Sequence, residues 1–238
     1  MTAAHPKIDW ATLVETVHAL PMYPAHKAYV RDKILLSQPD VSAEELVRRL
    51  GITRGEALVI LWELRKTGEE VLLMLKEGCA GKPRYSLAAL GGTFSTIHAG
   101  HMVLLLTAFC NSERVIIGIT SDSFASKLLK KHPIPPQEER LRSLRRFLND
   151  QGWLDRTQLI PIEDPYGPSV EDPTIEALVV SPATADRAVE INAKRAERMM
   201  KPLDVLVCPL VVAEDGKPIS TTRVMAGEIT VEGKVRRD

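Results

Sequence analysis

The sequence predicts an α/β protein, a doubly wound parallel sheet preceded by a small, mostly helical domain that looks winged-helix-like. Three observations predict it. From Tyr85 onward, short β-branched or apolar runs alternate with longer amphipathic stretches, the pattern of strands joined by helical crossovers. Before Tyr85 the pattern is helical, with cap residues where helices begin. Apolar residues make up 45% of the 238, enough to build a sizeable core.

The elements run in order. Ser42, with Glu45 three residues on, reads as the N-cap of a helix over 43–50 that stops at Gly51. Thr53 opens a second helix over 54–66, ending at Gly68. The Gly-Ile-Thr turn between them gives a helix-turn-helix pattern, and 71–76 is expected to continue as the strand of a wing. The Gly/Lys/Pro stretch 78–83 is the expected join, dividing the chain into 1–84 and 85–238. Beyond it, strands are expected at 85–90, 114–120, 158–162, 177–180 and 205–209. Helices are expected at 98–110, 122–131, 137–149 and 183–200, with a last one starting near Ser220. Ligands of such sheets bind at the carboxyl ends of the strands.

Composition excludes several function classes. The 31 basic residues balance 31 acidic ones, so no whole-molecule field draws the chain to nucleic acid or to an anionic membrane. Cys79, Cys110 and Cys208 lie far apart with no CxxC pair, which argues against a zinc site or a disulfide scaffold and fits a reducing cytoplasm. Residues 1–17 have no signal-type apolar stretch, and the longest greasy run, 102–109, is too short to cross a bilayer. A cytoplasmic protein without membrane partners is expected.

Two motifs carry chemistry. The first is the string from Gly91 through Gly92, Thr93, Phe94, Ser95, Thr96, Ile97, His98, Ala99 and Gly100 to His101. It comes after a strand and opens a helix. Glycines let backbone come close to a phosphate, and free N–H groups at a helix start attract anions. His98 and His101, three residues apart, share one helix face, and Gly100 between them leaves room for a nucleotide. A strand-turn-helix joint with two surface histidines is the plainer reading, which the full string makes the weaker one. The second motif is Ile219-Ser220-Thr221-Thr222-Arg223. Its hydroxyls could simply cap a short helix. They could equally join backbone N–H groups on the outer phosphates of ATP, with Arg223 as a fixed cation for leaving pyrophosphate.

With these strings the chain resembles the HxGH nucleotidyltransferases, whose second signature is ISSTR. It is most similar to the archaeal-type phosphopantetheine adenylyltransferases. That closer likeness rests on Ile119-Thr120-Ser121-Asp122, Glu138-Glu139-Arg140, Glu163-Asp164-Pro165-Tyr166-Gly167-Pro168, Val179-Val180-Ser181-Pro182 and the run from Ala213 to Ser220. It covers roughly residues 86–233 and none of the N-terminal region. The resemblance implies a Rossmann-like sheet and transfer of AMP from ATP to 4′-phosphopantetheine, giving dephospho-coenzyme A and pyrophosphate, a step of coenzyme A biosynthesis. It implies catalytic roles for His101, Lys127 and Arg223. It implies an ATP site of Gly92, Thr93, Phe94, His98, Gly100, His101, Ser220, Thr221, Thr222 and Arg223. Thr93 and Lys127 would hold the acceptor phosphate, with Lys130 and Lys131 marking a solvated basic face as the alternative for Lys127. Mg²⁺ would arrive with ATP, and no protein metal site is expected.

One departure matters. Bacterial relatives carry arginines after the fourth strand, where this chain has Ser181-Pro182-Ala183-Thr184. Arg187, Lys194 or Arg195 would then supply the cation. The acidic stretch Glu163-Asp164-Pro165 reads as a structural loop rather than a metal site.

DNA binding by the N-terminal domain is the rival partner. Residues 1–86 hold 12 basic and 11 acidic side chains, too weak a field for phosphate attraction, so a packing, dimer-forming or regulatory role is favoured. A homo-oligomer is left open by the sequence. Another adenylyl- or cytidylyltransferase, such as one acting on nicotinamide mononucleotide, is the rival enzyme. A DNA-binding regulator with a nucleotide-sensing domain is the rival outside enzymes.

Overall fold

The computed structural model describes residues 10–38, 40–79, 81–128 and 132–236. The chain divides into two units, Met1–Arg65 and Lys66–Asp238. The boundary expected at 84/85 therefore lies earlier. Residue 71 explains the difference: Val71 is fully buried in the core beneath the sheet, and Leu75 packs against that core, so 66–84 belong with the second unit.

In the first unit, Ser42 and Thr53 cap helices Ala43–Leu50 and Arg54–Leu64, each hydroxyl accepting the amide three residues on. Gly51 ends the first helix at φ 66°, the left-handed turn that glycine adopts without strain. Helices Trp10–His18 and Tyr23–Tyr29 precede them and close the core around Val30, Leu46 and Ile60. The two acidic residues of the second helix are bound by these earlier helices. Glu63 is reached by His18 Nε2 at 2.7 Å, by Lys27 Nζ at 2.6 Å and by the Tyr23 hydroxyl. Glu56, itself buried, meets His26 Nδ1 at 2.7 Å. Arg54, Leu58 and Trp62, spaced by four, are left exposed.

The strand expected at 71–76 is a helix, Gly68–Glu77. A capping box sets it: the Thr67 hydroxyl accepts from the Glu70 amide while the Glu70 carboxylate accepts from the Thr67 amide. Val71 and Leu75, four apart, then share one helical face. Only three residues, Arg65–Thr67, are extended between this helix and the one before, so the described residues form no wing.

The second unit is built on five parallel strands: β1 (Tyr85–Gly92), β2 (Ser112–Thr120), β3 (Thr157–Ile162), β4 (Ala177–Val180) and β5 (Asp204–Val207). Their order is β3-β2-β1-β4-β5. The order reverses between β1 and β4, which places the binding crevice of such a sheet at their carboxyl ends. Alternate residues feed two cores. Ala88, Leu90, Ile117 and Val179 meet helices Ala99–Asn111 and Gln137–Asp150 on one face. Leu87, Ala89, Ile116 and Leu178 meet helix Ala185–Glu197 on the other. The helix expected at 122–131 is confined to Asp122–Ala125, with a turn after it, and Leu129, Lys130 and Lys131 lie outside the described residues. Among the described residues no helix is long and apolar enough to cross a membrane.

The cysteines overturn one expectation. Cys79 and Cys110 form a disulfide, with Cα atoms 4.9 Å apart. The sequence hides it because the partners are 31 residues apart and meet only when the chain before β1 runs past the end of helix Ala99–Asn111. That helix end is held a second way: the Arg156 guanidinium donates to the Phe109 and Ser112 carbonyls at 3.0 and 2.5 Å. Cys208 stays a thiol, buried and pushed up to about 12 by that burial.

Candidate active site

Strand β1 ends in Gly91-Gly92, and the ring of Phe94 requires glycine at position 92. A Cβ there would lie 2.9 Å from that ring, which is buried to 1% exposure on a backbone with φ 51°. Phe94, expected among the ATP contacts, is thus a core side chain. It backs His101, with ring centroids 5.0 Å apart. His98 adopts an extended conformation and caps helix Ala99–Asn111, its Nδ1 accepting from the Gly100 amide at 3.1 Å. The two imidazoles stack 4.0 Å apart. Burial, and then the nearby His101, push the His98 pKa down to about 2. His98 is therefore neutral, and because Nδ1 accepts, its proton sits on Nε2 as a donor.

Two expectations about this helix tip are corrected. Its first amides are not free for a phosphate: Ala99 N–H donates to the Val231 carbonyl at 2.8 Å, and Gly100 N–H donates to His98. What remains for an anion is the helix dipole and the imidazoles. Gly100 makes room first for the histidine ring itself, since a Cβ would lie 3.0 Å from His98 Cε1.

The second motif lies against the same tip. The Ile219 carbonyl is 3.9 Å from where a Gly100 Cβ would be, and Thr96 Oγ1 is 3.4 Å from Met225 Sδ. Ser220 caps the short helix Thr221–Met225, its hydroxyl accepting from the Arg223 amide at 3.3 Å. Thr221 and Thr222 are half-buried beside it. Arg223 is held on three sides, by Asp215 at 2.5 Å, Glu228 at 3.0 Å and the Pro218 carbonyl at 3.0 Å. It is a fixed cation, but one already offset by two carboxylates.

The residue that organises the turn after β1 is Arg140, to which neither motif assigns a role. It is 1% exposed. Its guanidinium donates to the Thr93 carbonyl at 2.9 Å, Thr120 Oγ1 at 3.2 Å, Asp122 Oδ1 at 2.9 Å and the Pro135 carbonyl at 2.8 Å. One side chain thereby ties the turn after β1 to the end of β2. The signal was present, because Arg140, Leu144 and Leu148 recur every four residues and all three are buried. A basic residue on an apolar stripe marks an internal role.

Lys127 lies exposed on the turn after helix Asp122–Ala125. The Ser123 and Ser121 hydroxyls hold Glu163 below the usual carboxylate range, and the Lys127 charge adds to this. Glu163 links the loops after β2 and β3, and Asp164 accepts from the Tyr166 and Gly167 amides, as a structural loop requires. Of the three cations offered for the acceptor, Arg195 is excluded: it is buried and spent on the Ser169, Asp172 and Lys201 carbonyls. Arg187 and Lys194 both lie against the Tyr166 ring, at 5.6 and 4.7 Å. No group of three His, Cys, Asp or Glu side chains among the described residues could hold a metal.

Comparison with known proteins identifies the family. Residues 89–227, which include both motifs, match the family model described as cytidylyltransferase-like. The chain is 43% identical over 155 residues to a phosphopantetheine adenylyltransferase of Methanopyrus kandleri, covering 65% of this chain and 97% of that one. A protein of the same name from Methanothermobacter thermautotrophicus is 43% identical over 154 residues, 65% of this chain and 92% of its own. One from Pyrobaculum aerophilum is 41% identical over 143 residues, 60% of this chain and 92% of its own.

Proposed function

The chain belongs to the cytidylyltransferase-like phosphopantetheine adenylyltransferases, and from that membership we propose that it transfers AMP from ATP to 4′-phosphopantetheine, yielding dephospho-coenzyme A and pyrophosphate. A non-bridging oxygen of the acceptor phosphate attacks the α-phosphorus in line. The bond from that phosphorus to the oxygen bridging toward the β-phosphate breaks, and pyrophosphate leaves. An ionised phosphate is already a nucleophile, so the protein's work is positioning and charge stabilisation.

The observation that carries this reading is the stacked imidazole pair beside the Ser220–Arg223 segment. His101 donates to the α-phosphate as its charge grows. His98, neutral and fixed as a cap, holds the His101 ring in place. Ser220, Thr221 and Thr222 take the β- and γ-phosphates, and Arg223 exchanges part of its carboxylate pairing for the leaving pyrophosphate. The Thr93 turn and Lys127 hold the acceptor phosphate. A Mg²⁺ ion held through the ATP phosphates and water would supply neutralisation of phosphate charge. With Asp215 and Glu228 engaged by Arg223, the residues present fit an ion held by phosphates and water.

The test is pyrophosphate release from ATP with either 4′-phosphopantetheine or nicotinamide mononucleotide as acceptor. Turnover with the first and none with the second is expected, and the reverse preference would overturn the reading. His101→Ala should lower kcat by on the order of 10²–10³, the usual size for losing one such donor.

A further inference from the structure

We infer that Gly68 is a positioning residue for the proposed transfer, keeping the helix that bears His101 on its aim through the turn 230–234. The inference rests on the role given to His101 above. Gly68 and this turn both lie outside residues 89–227, the stretch that matches the family model.

Gly68 opens the helix Gly68–Glu77, and its backbone is not left-handed, so conformation does not call for glycine there. Close approach does. A Cβ on Gly68 would overlap the Glu232 carbonyl oxygen and lie 2.6 Å from its carbon. Both partners are backbone, so neither can swing aside as the end of a long side chain would. The approach is fixed along the segment. The short strand that ends at Thr67 pairs with Leu210–Val212. The Thr67–Glu70 capping box sets the first turn of the helix. Val71 is fully buried in the core that also holds Ala99 and Ile219.

Glu232 stands inside a closed turn. Thr230 N–H donates to the Lys234 carbonyl at 2.8 Å, and Gly233 N–H donates to the Thr230 carbonyl at 3.0 Å, so the turn moves as a body. The residues on either side of Glu232 each hold one motif. The Val231 carbonyl accepts at 2.8 Å from the amide of Ala99, the first residue of the helix with His98 and His101 at its tip. The Gly233 carbonyl accepts at 2.9 Å from the amide of Glu214, in the loop that leads to Ser220. A Cβ on Gly233 would lie 3.1 Å from Ala213 Cα, so this side of the turn is closely seated as well. A push from Gly68 therefore reaches the imidazole tip through Glu232 and Val231. Neither Thr93 nor Lys127 takes part in these bonds.

The experiment measures pyrophosphate release by the full chain, below the melting range of every variant, in a double-mutant cycle of Gly68→Ala with His101→Ala. Alone, Gly68→Ala should lower kcat about tenfold, the scale of a small misplacement at the reacting centre, and leave KM for the acceptor near the wild-type value. In the His101→Ala background it should lower kcat by less than about twofold, because no imidazole is left to misdirect. Loosening of the fold in general would cost the same in both backgrounds. That outcome, or a folded Gly68→Ala protein with wild-type kcat, would overturn the inference. If the alanine variant does not fold, Thr67→Val takes its place in the cycle, removing half of the capping box while leaving Gly68 bare. Its loss should be several-fold and confined to the background that keeps His101, and wild-type kcat or equal losses would count as the same refutation. The cycle runs with whichever of 4′-phosphopantetheine and nicotinamide mononucleotide the wild-type chain accepts, so a mistaken acceptor leaves it intact. Release with neither would bring down the transfer reading itself, and this inference with it.

Discussion

Arg140→Met removes the fork that joins the turn after β1 to the sheet while keeping most of the buried stem. Its cost can be worked from the four partners. Asp122 is 62% exposed, so its carboxylate returns to water and contributes little. The Thr93 and Pro135 carbonyls and the Thr120 hydroxyl each lose a donor, at about 1 kcal/mol apiece, with some further loss from the altered packing. The sum is roughly 2–4 kcal/mol, or a fall of about 5–15 °C in melting midpoint for a domain of this size. A merely structural role would end there. Because the guanidinium holds Thr93, we expect a second effect at temperatures where the variant is fully folded. KM for the acceptor should rise by about an order of magnitude, with KM for ATP changed far less. Arg140→Lys, which can reach one or two of the partners, should recover part of both losses. Thermal melting combined with initial rates over both substrates provides the assay. A methionine variant that melts like wild type, or loses affinity for ATP and acceptor in parallel, would refute the reasoning.

Two further predictions concern titratable groups. The buried His98 stays neutral in the folded protein down to about pH 2, whereas the unfolded chain takes up a proton near pH 6.5. The unfolded state therefore binds more protons as pH falls below neutrality, and folding should lose about 1 kcal/mol between roughly pH 7 and 5.5 through this residue. Denaturant midpoints for wild type and His98→Asn should show the slope shrinking in the variant, and equal slopes would exclude this origin. The Cys79–Cys110 link closes a loop with a sequence separation of 31, which the chain-entropy relation values at about 3–4 kcal/mol. Under denaturing, non-reducing conditions one thiol of three should react, and reduction should expose the other two and lower the melting midpoint. Three reactive thiols without reductant would show that the link does not form.

Where local rules govern, the sequence announced the structure. Ser42, Thr53 and Gly51 mark their helix ends because capping depends on neighbours a few residues away. The strand segments are legible because burial on both faces demands uninterrupted apolar runs. Reading failed where partners are distant or where two local rules compete. Residues 71–76 look extended by composition, but the Thr67–Glu70 box and burial of Val71 decide for a helix. Cys79 and Cys110 carry no spacing signal. At the candidate site, both motifs were visible as strings, and their approach at Gly100 and Ile219 arises from the topology. Val231's claim on the Ala99 amide was not legible, since nothing in the two strings foretells that a later segment returns there.

The helix bearing both imidazoles is gripped at each extremity. Val231 takes its leading amide, while a covalent bridge and an arginine hold its trailing end. A rod so clamped resists sliding and rolling, so in the proposed reaction the angular bearing of His101 toward the triphosphate would be set before any substrate arrives. Loosening the trailing end should therefore be felt at the opposite tip, as poorer aim rather than as a missing group.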